Sequence, residues 1–486
     1  MSENYEDVII GLETHIQLSN LKTKFFCGCN SNYYGKDPNT HVCSGCLGFP
    51  GILPLINKKA IEFATRLALA LECKINKLFY FFRKQYYYPD MARNFQLTLY
   101  NKLGGKAFAD GGIVPIKING IKKSIKLNRI HLEEDPARLV HKGSIKTSPY
   151  TLVDYNRSGI ALIEIVTDPV INSPEEAREY LNKLKSIVQY TGISDLNIEG
   201  TCRVDANISI KGSARVEVKN INSFKEVERA LKWEIQRHRH AIKRGKKIIQ
   251  ETRGWDEKRR ITIEMRKKEF EEDYRYFPEQ DLPIIEIVDS FIENVKKKMP
   301  EMPMSRSRRF QEIYKLSEFD ADNLVLDKNF ADFYEEGIKI DQKFSLEEFK
   351  LYCNWLMNDI KQWLNENNKE IKDTKLKSEQ IVDLINSIKE GKITTKIAKT
   401  YIDEMMKGTL LSTIIKESGS VRIADGKYLE DIIRKVIEEN PKILDDYQKN
   451  PKAKMAFMGK VMKETKGQAD PELTNELLDR LLKEYI

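Results

Sequence analysis

Residues 8–18 read VIIGLETHIQL, and the fold turns on whether they form a strand. Side chains along a strand alternate between two faces. The even positions Val8, Ile10, Leu12, Thr14, Ile16 and Leu18 then make a nearly pure apolar stripe, while Gly11, Glu13, His15 and Gln17 occupy the other face. Such alternation predicts a half-buried strand. A face turned to water needs only polarity. A carboxylate, an imidazole and an amide in register beside a glycine suggest something more.

The same pattern recurs downstream. In RIHLEED (129–135), Arg129, His131, Glu133 and Asp135 oppose Ile130, Leu132 and Glu134. In RVDANISI (203–210), Arg203, Asp205 and Asn207 oppose Val204, Ala206 and Ile208. In RVEVKN (215–220), Glu217 joins Lys219 opposite Val216 and Val218. The short KGSA connection predicts that the last two strands form a hairpin, with Asp205 or Asn207 across from Glu217 or Lys219. Any one of these faces also fits the solvated side of an antiparallel sheet. Their repetition suits a hard divalent ion such as Mg²⁺ or Mn²⁺, with the interleaved Arg and Lys balancing phosphate charge.

Helical patterns interrupt the strands. SPEEAREYLNKLKSIVQYTG starts with Ser173 as N-cap and Pro174 in the first turn, and stops at Gly192. SFKEVERALKWEIQRHRHAIKRG is a second amphipathic helix ending at Gly245. The expected class is α+β: an N-terminal antiparallel-sheet cradle with helices. Prolines at 278, 283, 300 and 303 mark a linker, after which the periodicity is helical. Ile381, Leu384, Ile385 and Ile388 share one helix face; Asp470 caps a last helix with Leu473, Leu477 and Leu481 on one stripe. The expected domains are therefore a catalytic cradle over 1–292, an all-α helical domain over 293–400 and a small α-helical tail domain over 401–486.

Charged residues make up 32% of the 486 and hydrophobic residues 41%, and no apolar run is long enough to span a bilayer. The start, MSENYEDV, resembles no signal or transit peptide. The expectation is a cytoplasmic protein with no membrane partner. A formal net charge of +8 is compatible with nucleic-acid binding, but charge alone favours a lysine-rich composition with no special partner. The same alternatives apply to KNPKAKMAFMGKVMKETKG, where Lys452, Lys454, Lys460, Lys463 and Lys466 surround Phe457 and Met458 as apolar anchors.

Four of the seven cysteines are paired as Cys27-x-Cys29 and Cys43-x-x-Cys46. Two thiolate knuckles separated by 13 residues suit a closed tetrahedral Zn²⁺ site, one that staples a loop and leaves no position for substrate. His41 is a possible substitute ligand. The other reading is four unrelated buried cysteines. Neither a P-loop nor a G-x-S-x-G or H-E-x-x-H motif is present, and no Ser–His or Cys–His pair stands out as a nucleophile.

IGLETHIQL, KQYYYPDMARNFQLT, HLEEDPARLVHKG, LVDYNRSGIALIEIVTDP, CRVDANISI, VEVKNINSF and EDYRYFPEQD occur in this order. Together with MGKVMKETKGQADPEL near the C-terminus, they resemble the B-type family of aspartyl/glutamyl-tRNA amidotransferase subunits. The resemblance implies an ATP-dependent enzyme that phosphorylates the side-chain carboxylate of Asp or Glu misacylated onto tRNA(Asn) or tRNA(Gln). Ammonia from a glutaminase, the A-type amidase partner, then displaces the phosphate, and a small C-type partner completes a heterotrimer. The implied cofactors are ATP, Mg²⁺ and structural Zn²⁺. Carried over residue by residue, the catalytic and Mg²⁺ positions fall on Glu13, His15, Glu134 with Glu133 beside it, and Glu217, with Gly11 leaving room for substrate. Lys84, Tyr88, Arg157, Arg203, Asp205 and Arg275 match substrate-end positions, and Cys27, Cys29, Cys43 and Cys46 the zinc ligands. The basic tail resembles the part of the family that touches tRNA. Ala92-Arg93, Thr98-Leu99 and Ala161 depart from the family's usual residues. A competing reading is an inert tRNA-binding scaffold, which would need no clustered carboxylates.

Overall fold

The computed structural model describes residues 5–141, 148–267, 271–341, 344–418, 426–450, 453–465 and 469–485. VIIGLETHIQ is a strand, β1 (Val8–Gln17), in the middle of a large sheet. The sheet's main path uses β2 (Phe82–Gln85), β3 (Phe95–Thr98), β4 (Ile121–Glu134), β5 (Ala161–Thr167), β6 (Cys202–Ile210), β7 (Val216–Ile221), β8 (Glu251–Asp256), β9 (Ile261–Lys267) and β10 (Phe277–Pro278). Their order is β9-β8-β7-β6-β1-β5-β4-β3-β2-β10. Along this path only β7 and β8 run parallel; a parallel pair needs a crossover, and the helix Phe224–Lys243 lies between them in sequence.

The apolar stripe predicted for β1 is the core. Val8, Ile10, Leu12 and Ile16 are at most 1% exposed, in one cluster with residues of three helices: α1 (Lys58–Ala70), α2 (Pro174–Thr191) and α3 (Phe224–Lys243). Tyr180, Leu181 and Leu184 of α2 and Val227, Ala230 and Leu231 of α3 belong to it. Each such side chain contributes about 1.5–3 kcal/mol on leaving water. The helices cover one face of the sheet, so the polar alternates are left on the other.

The caps match their sequence signals. Ser173 accepts from the Glu176 N–H, and Gly192 closes α2 in the left-handed conformation at φ 69°. Ser223 caps α3 in the same way, accepting from the Glu226 N–H. Asp470 caps the helix Pro471–Leu481. Lys211–Ala214 does join β6 and β7 as an antiparallel hairpin, with Asn207 opposite Glu217.

The first compact unit runs through Pro303, and Leu282 and Ile287 of the proline-rich stretch are part of its core. In the second unit, from Met304, the named elements among the described residues are all helices. This unit holds one core from Phe310 to Ile414 and a separate one from Leu429 to Leu482. Tyr401, Ile402, Met405, Met406, Leu411 and Ile414 pack with the helices before them rather than with the tail. The α+β arrangement followed by helices alone is the predicted class.

Gly337 marks a tight point in this unit. A Cβ there would collide with the Tyr352 hydroxyl and ring, whose Cζ would lie 2.6 Å away. Tyr352 is fully buried and its hydroxyl donates to the Phe333 carbonyl at 3.0 Å, so the ring has nowhere to go. Gly→Ala in a helix ordinarily stabilises by about 1 kcal/mol. Here overpacking dominates, and Gly337→Ala should destabilise by roughly 1–3 kcal/mol in a urea melt. A rise in stability would show that Tyr352 can yield.

Candidate functional site

Pairing across the sheet gathers the polar faces. On β1, Glu13 lies opposite Asp205 of β6, and His15 lies opposite Arg203 of β6 on one side and Glu164 of β5 on the other. On β4, Glu133 follows two residues after His131, which lies opposite Glu164. The result is three carboxylates around one imidazole nitrogen. His15 Nε2 is 3.4 Å from Glu13 Oε1, 3.5 Å from Glu133 Oε1 and 3.6 Å from Glu164 Oε2.

This group forms the floor of a cleft of about 970 Å³. Glu13, Glu133, Asp135, Glu164, Asp205 and Asp273 line it together with Lys84, Arg203, Lys219 and Arg275, and Tyr86, Tyr87, Tyr88 and Tyr274 add aromatic faces. The Lys84 ammonium stands 4.7 Å from the Tyr274 ring centre. A β-bulge shapes one wall: β7 gains a residue relative to β6 between the Val204–Ile221 and Ala206–Val218 pairs. Asn220 absorbs it at φ 62°. Lys219 reaches Asp205 at 3.1 Å and Glu217 at 3.5 Å.

Crowded charge governs protonation here. Burial and then the Glu164 charge push Glu13 up to about 7. Burial pulls His15 down, but its hydrogen bond with Glu164 and the charges of Glu133 and Glu13 outweigh that and raise it to about 9. Glu133 is raised, chiefly by burial. Burial drives His131 down to about 4. Glu164 Oε1 and His131 Nε2 are buried without a hydrogen-bond partner. Burial opposes it, but the hydrogen bond with His15 and the charges of His131, His15 and Arg129 hold Glu164 well below the usual carboxylate range. Three carboxylates crowded about one imidazole, with Glu164 Oε1 facing Arg129 only at 3.5 Å, fit a hard cation. Glu13, His15 and Glu164 bring donor atoms within 4.8 Å of one another.

Of the residues expected from sequence, Glu13, His15, Glu133, Lys84, Tyr88, Arg203, Asp205 and Arg275 meet in this cleft. Four others lie elsewhere. Glu134 follows Glu133 on the pleat and so points through the opposite face. There it pairs with Arg93 and accepts from the Leu97 N–H at 2.9 Å. Glu217 sits one pair further along β7, accepting from the Thr252 hydroxyl at 2.9 Å, and lies 3.5 Å from Lys219, which faces the cleft. Arg157 stands behind the cleft, held by Asp135 at 3.1 Å and the Pro136 carbonyl at 3.1 Å. Gly11 is off the cleft; a Cβ there would make an ordinary 3.8 Å contact with Pro169. Glu164 is absent from the residues expected by sequence, although a carboxylate between apolar neighbours in ALIEIV is a signal of a polar site on that strand.

The second group is Cys27, Cys29, Cys43 and Cys46, whose sulfurs all lie within 4.8 Å. Cys29 and Cys46 are 4.0 Å apart, close to the edge of a ZnS₄ tetrahedron, about 3.8 Å for bonds of about 2.3 Å. The donor set fits a soft or borderline ion. The fully buried Lys24 places its ammonium 3.6 Å from Cys46 Sγ and 3.1 Å from the Tyr155 carbonyl. Hydrogen bonding from Cys27, assisted by the Cys43 N–H and Lys24 against burial, draws Cys46 down to about 4. Glu134 and Arg93 line a small recess beside Cys46, so the dipeptide Glu133-Glu134 serves one site with each face.

In the tail, Lys454 pairs with Asp479 at 2.7 Å, and Lys460 and Lys463 are exposed on the helix Lys454–Glu464. Phe457 is fully buried in the tail core, so it is no surface anchor. Lys452 and Lys466 lie outside the described residues. Among those residues, no helix is long and apolar enough to cross a membrane.

Comparison with known proteins adds to this geometry. The GatB/GatE catalytic domain matches residues 8–293, and the GatB domain matches residues 332–482. The B-type aspartyl/glutamyl-tRNA(Asn/Gln) amidotransferase subunit of Sulfurisphaera tokodaii is 45% identical over 477 residues, covering 98% of this chain and 99% of that protein. Its counterpart of the same name in Carboxydothermus hydrogenoformans is 45% identical with the same coverage, and that of Thermotoga maritima is 45% identical over 98% of both chains. Two domains in order and end-to-end similarity lead to one conclusion: the chain belongs to the B-type family of aspartyl/glutamyl-tRNA(Asn/Gln) amidotransferase subunits.

Proposed function

We propose that this chain, a subunit of a glutamine-dependent carbon–nitrogen ligase, activates the side-chain carboxylate of Asp or Glu esterified to tRNA(Asn) or tRNA(Gln) with ATP and converts it to the amide. The observation that carries this reading is the set Glu13, His15, Glu133 and Glu164, with Arg203 and Lys219 facing the same cleft. A carboxylate does not react with ammonia because its leaving group would be oxide. Attack of a carboxylate oxygen on the γ-phosphorus of ATP releases ADP and leaves an acyl phosphate. Ammonia nitrogen then attacks the carbonyl carbon, phosphate departs with the former carboxylate oxygen, and the nitrogen loses one proton.

The phosphoryl step needs positioning and charge compensation more than covalent chemistry. Glu13, His15, Glu133 and Glu164 would hold Mg²⁺, which when bound supplies charge to the transferring oxygens. Arg203 and Lys219, each tied to a carboxylate at one edge, offer cations to phosphate. Tyr86, Tyr87 and Tyr88 give stacking surfaces for a base. Cys27, Cys29, Cys43 and Cys46 would hold Zn²⁺ as a staple. Ammonia comes from the A-type amidase partner, with the small C-type partner in the complex, and Lys454, Lys460 and Lys463 belong to a face for the tRNA body. The setting is the cytoplasm.

The test is amidation of Glu-tRNA(Gln) and of Asp-tRNA(Asn) by the co-expressed three-protein complex, omitting ATP, Mg²⁺ and glutamine in turn. Product that requires all three is expected, and shows which tRNA is used. Amide formed without ATP would overturn the activation step.

A further inference from the structure

Gln17 ends the polar face of β1, yet the proposed chemistry gives it no part. Its side chain lies between the cysteine loop and the cleft. Gln17 Oε1 accepts from the Tyr34 phenol at 2.7 Å and from the Tyr33 phenol at 3.2 Å. A phenol can donate or accept, so it is the Asp135 carboxylate, which only accepts, that fixes which end of the amide is which. Nε2 therefore points the other way and donates to Asp135 Oδ2 at 2.6 Å. Asp135, whose side chain is fully buried, uses its other oxygen for Arg203 and for Arg157. Of these linked residues Asp135 and Arg203 border the cleft, and Arg203 brings the positive charge to it.

Tyr33 and Tyr34 stack at 4.5 Å within the loop that joins the two cysteine pairs. We infer that Gln17 and Tyr34 are positioning residues: through Asp135 they hold the Arg203 guanidinium toward the cleft, so that the cysteine loop sets the cleft's affinity for an anionic group. The inference rests on the reading of the cleft as a phosphate-handling site. Asp135 only accepts, so the amide keeps its nitrogen toward that carboxylate and its oxygen toward the loop. The phenols anchor the oxygen, the Tyr34 hydroxyl at the shorter distance. Without that anchor the amide is held at one end only, the Asp135 carboxylate loses its fixed donor, and the Arg203 guanidinium loses the fixed acceptor that aims it.

The test measures binding of inorganic pyrophosphate to the co-expressed complex by calorimetry, for wild type, Tyr34→Phe, Arg203→Lys and the double variant. Metal content per chain is measured alongside. Tyr34→Phe and Arg203→Lys are each expected to weaken binding about tenfold, the equivalent of one charge-assisted hydrogen bond. The double variant should be no weaker than Arg203→Lys alone, because the two changes act on one contact. Gln17→Met breaks the relay from its centre and should match Tyr34→Phe, which keeps the test open if the tyrosine variant does not fold. Wild-type affinity in Tyr34→Phe at unchanged metal content overturns the inference. So do full additivity with Arg203→Lys and a wild-type complex that binds no pyrophosphate. Amidation assayed on the same preparations judges the functional reading separately, since the binding cycle needs no turnover.

Discussion

Glu133→Gln should abolish ATP-dependent amidation, by on the order of 10³-fold in kcat/KM, whereas Glu134→Gln should keep most of the activity and lose stability instead. The two residues are neighbours with the same side chain, and the pleat separates them. Glu133 Oε1 is 3.5 Å from His15 Nε2 on the cleft floor. Glu134 lies on the far face with Arg93, beside Cys46. Removing the Glu133 charge deletes a proposed cation ligand without changing shape. Removing the Glu134 charge strips Arg93 of its partner in a largely buried place, at a cost of roughly 2–3 kcal/mol. Amidation assays and urea melts on both variants decide the matter. Equal loss of activity in both, with equal stability, would refute the division by face.

The parts of this site that were legible from sequence are those written in local pattern. Alternation alone placed Glu13 and His15 together, and put Glu133 and Glu134 on opposite faces. The resemblance, taken by motif, assigns Glu134 to the metal, whereas the alternation of the same strand puts it on the face away from the cleft, beside Arg93. Serine caps and glycine stops gave α2 and α3 because the capping interactions span only three or four residues. What was hidden depends on pairing across long separations. Glu164 reaches His15 only because β5 lies against β1. The bulge at Lys219–Asn220 has no stronger local mark than an asparagine, a residue that tolerates positive φ. The Tyr34–Gln17–Asp135 contacts link three separate segments, and no spacing rule announces them.

Cys46→Ser is the second change with a large expected effect. It should abolish metal binding by the four cysteines and destabilise the N-terminal unit by about 3–5 kcal/mol. Lys24 is the reason for that size. It is fully buried, and its ammonium is balanced by the Cys46 sulfur at 3.6 Å and by one carbonyl. Loss of the thiolate leaves a buried cation with a neutral partner. Zinc analysis should read no metal, and Lys24→Met in the same background should restore part of the stability. A Cys46→Ser protein with full metal content and unchanged melting would show that the four sulfurs do not act as a set.

The placement of Glu133 and Glu134 on opposite faces of β4 also bears on how this gene can change. Inserting or deleting one codon between residues 127 and 135 would exchange the two carboxylates, delivering the cation ligand to the cysteine recess and the partner of Arg93 to the cleft. An indel of two codons preserves the faces but moves every side chain one pair along β5, away from His15. The strand therefore behaves like a reading frame: substitutions can be sampled one by one, while changes of length have no neutral intermediate. Length variation in homologous chains should be confined to connections such as the one between the strands Arg138–His141 and Thr151–Asp154, which lies beyond the end of β4.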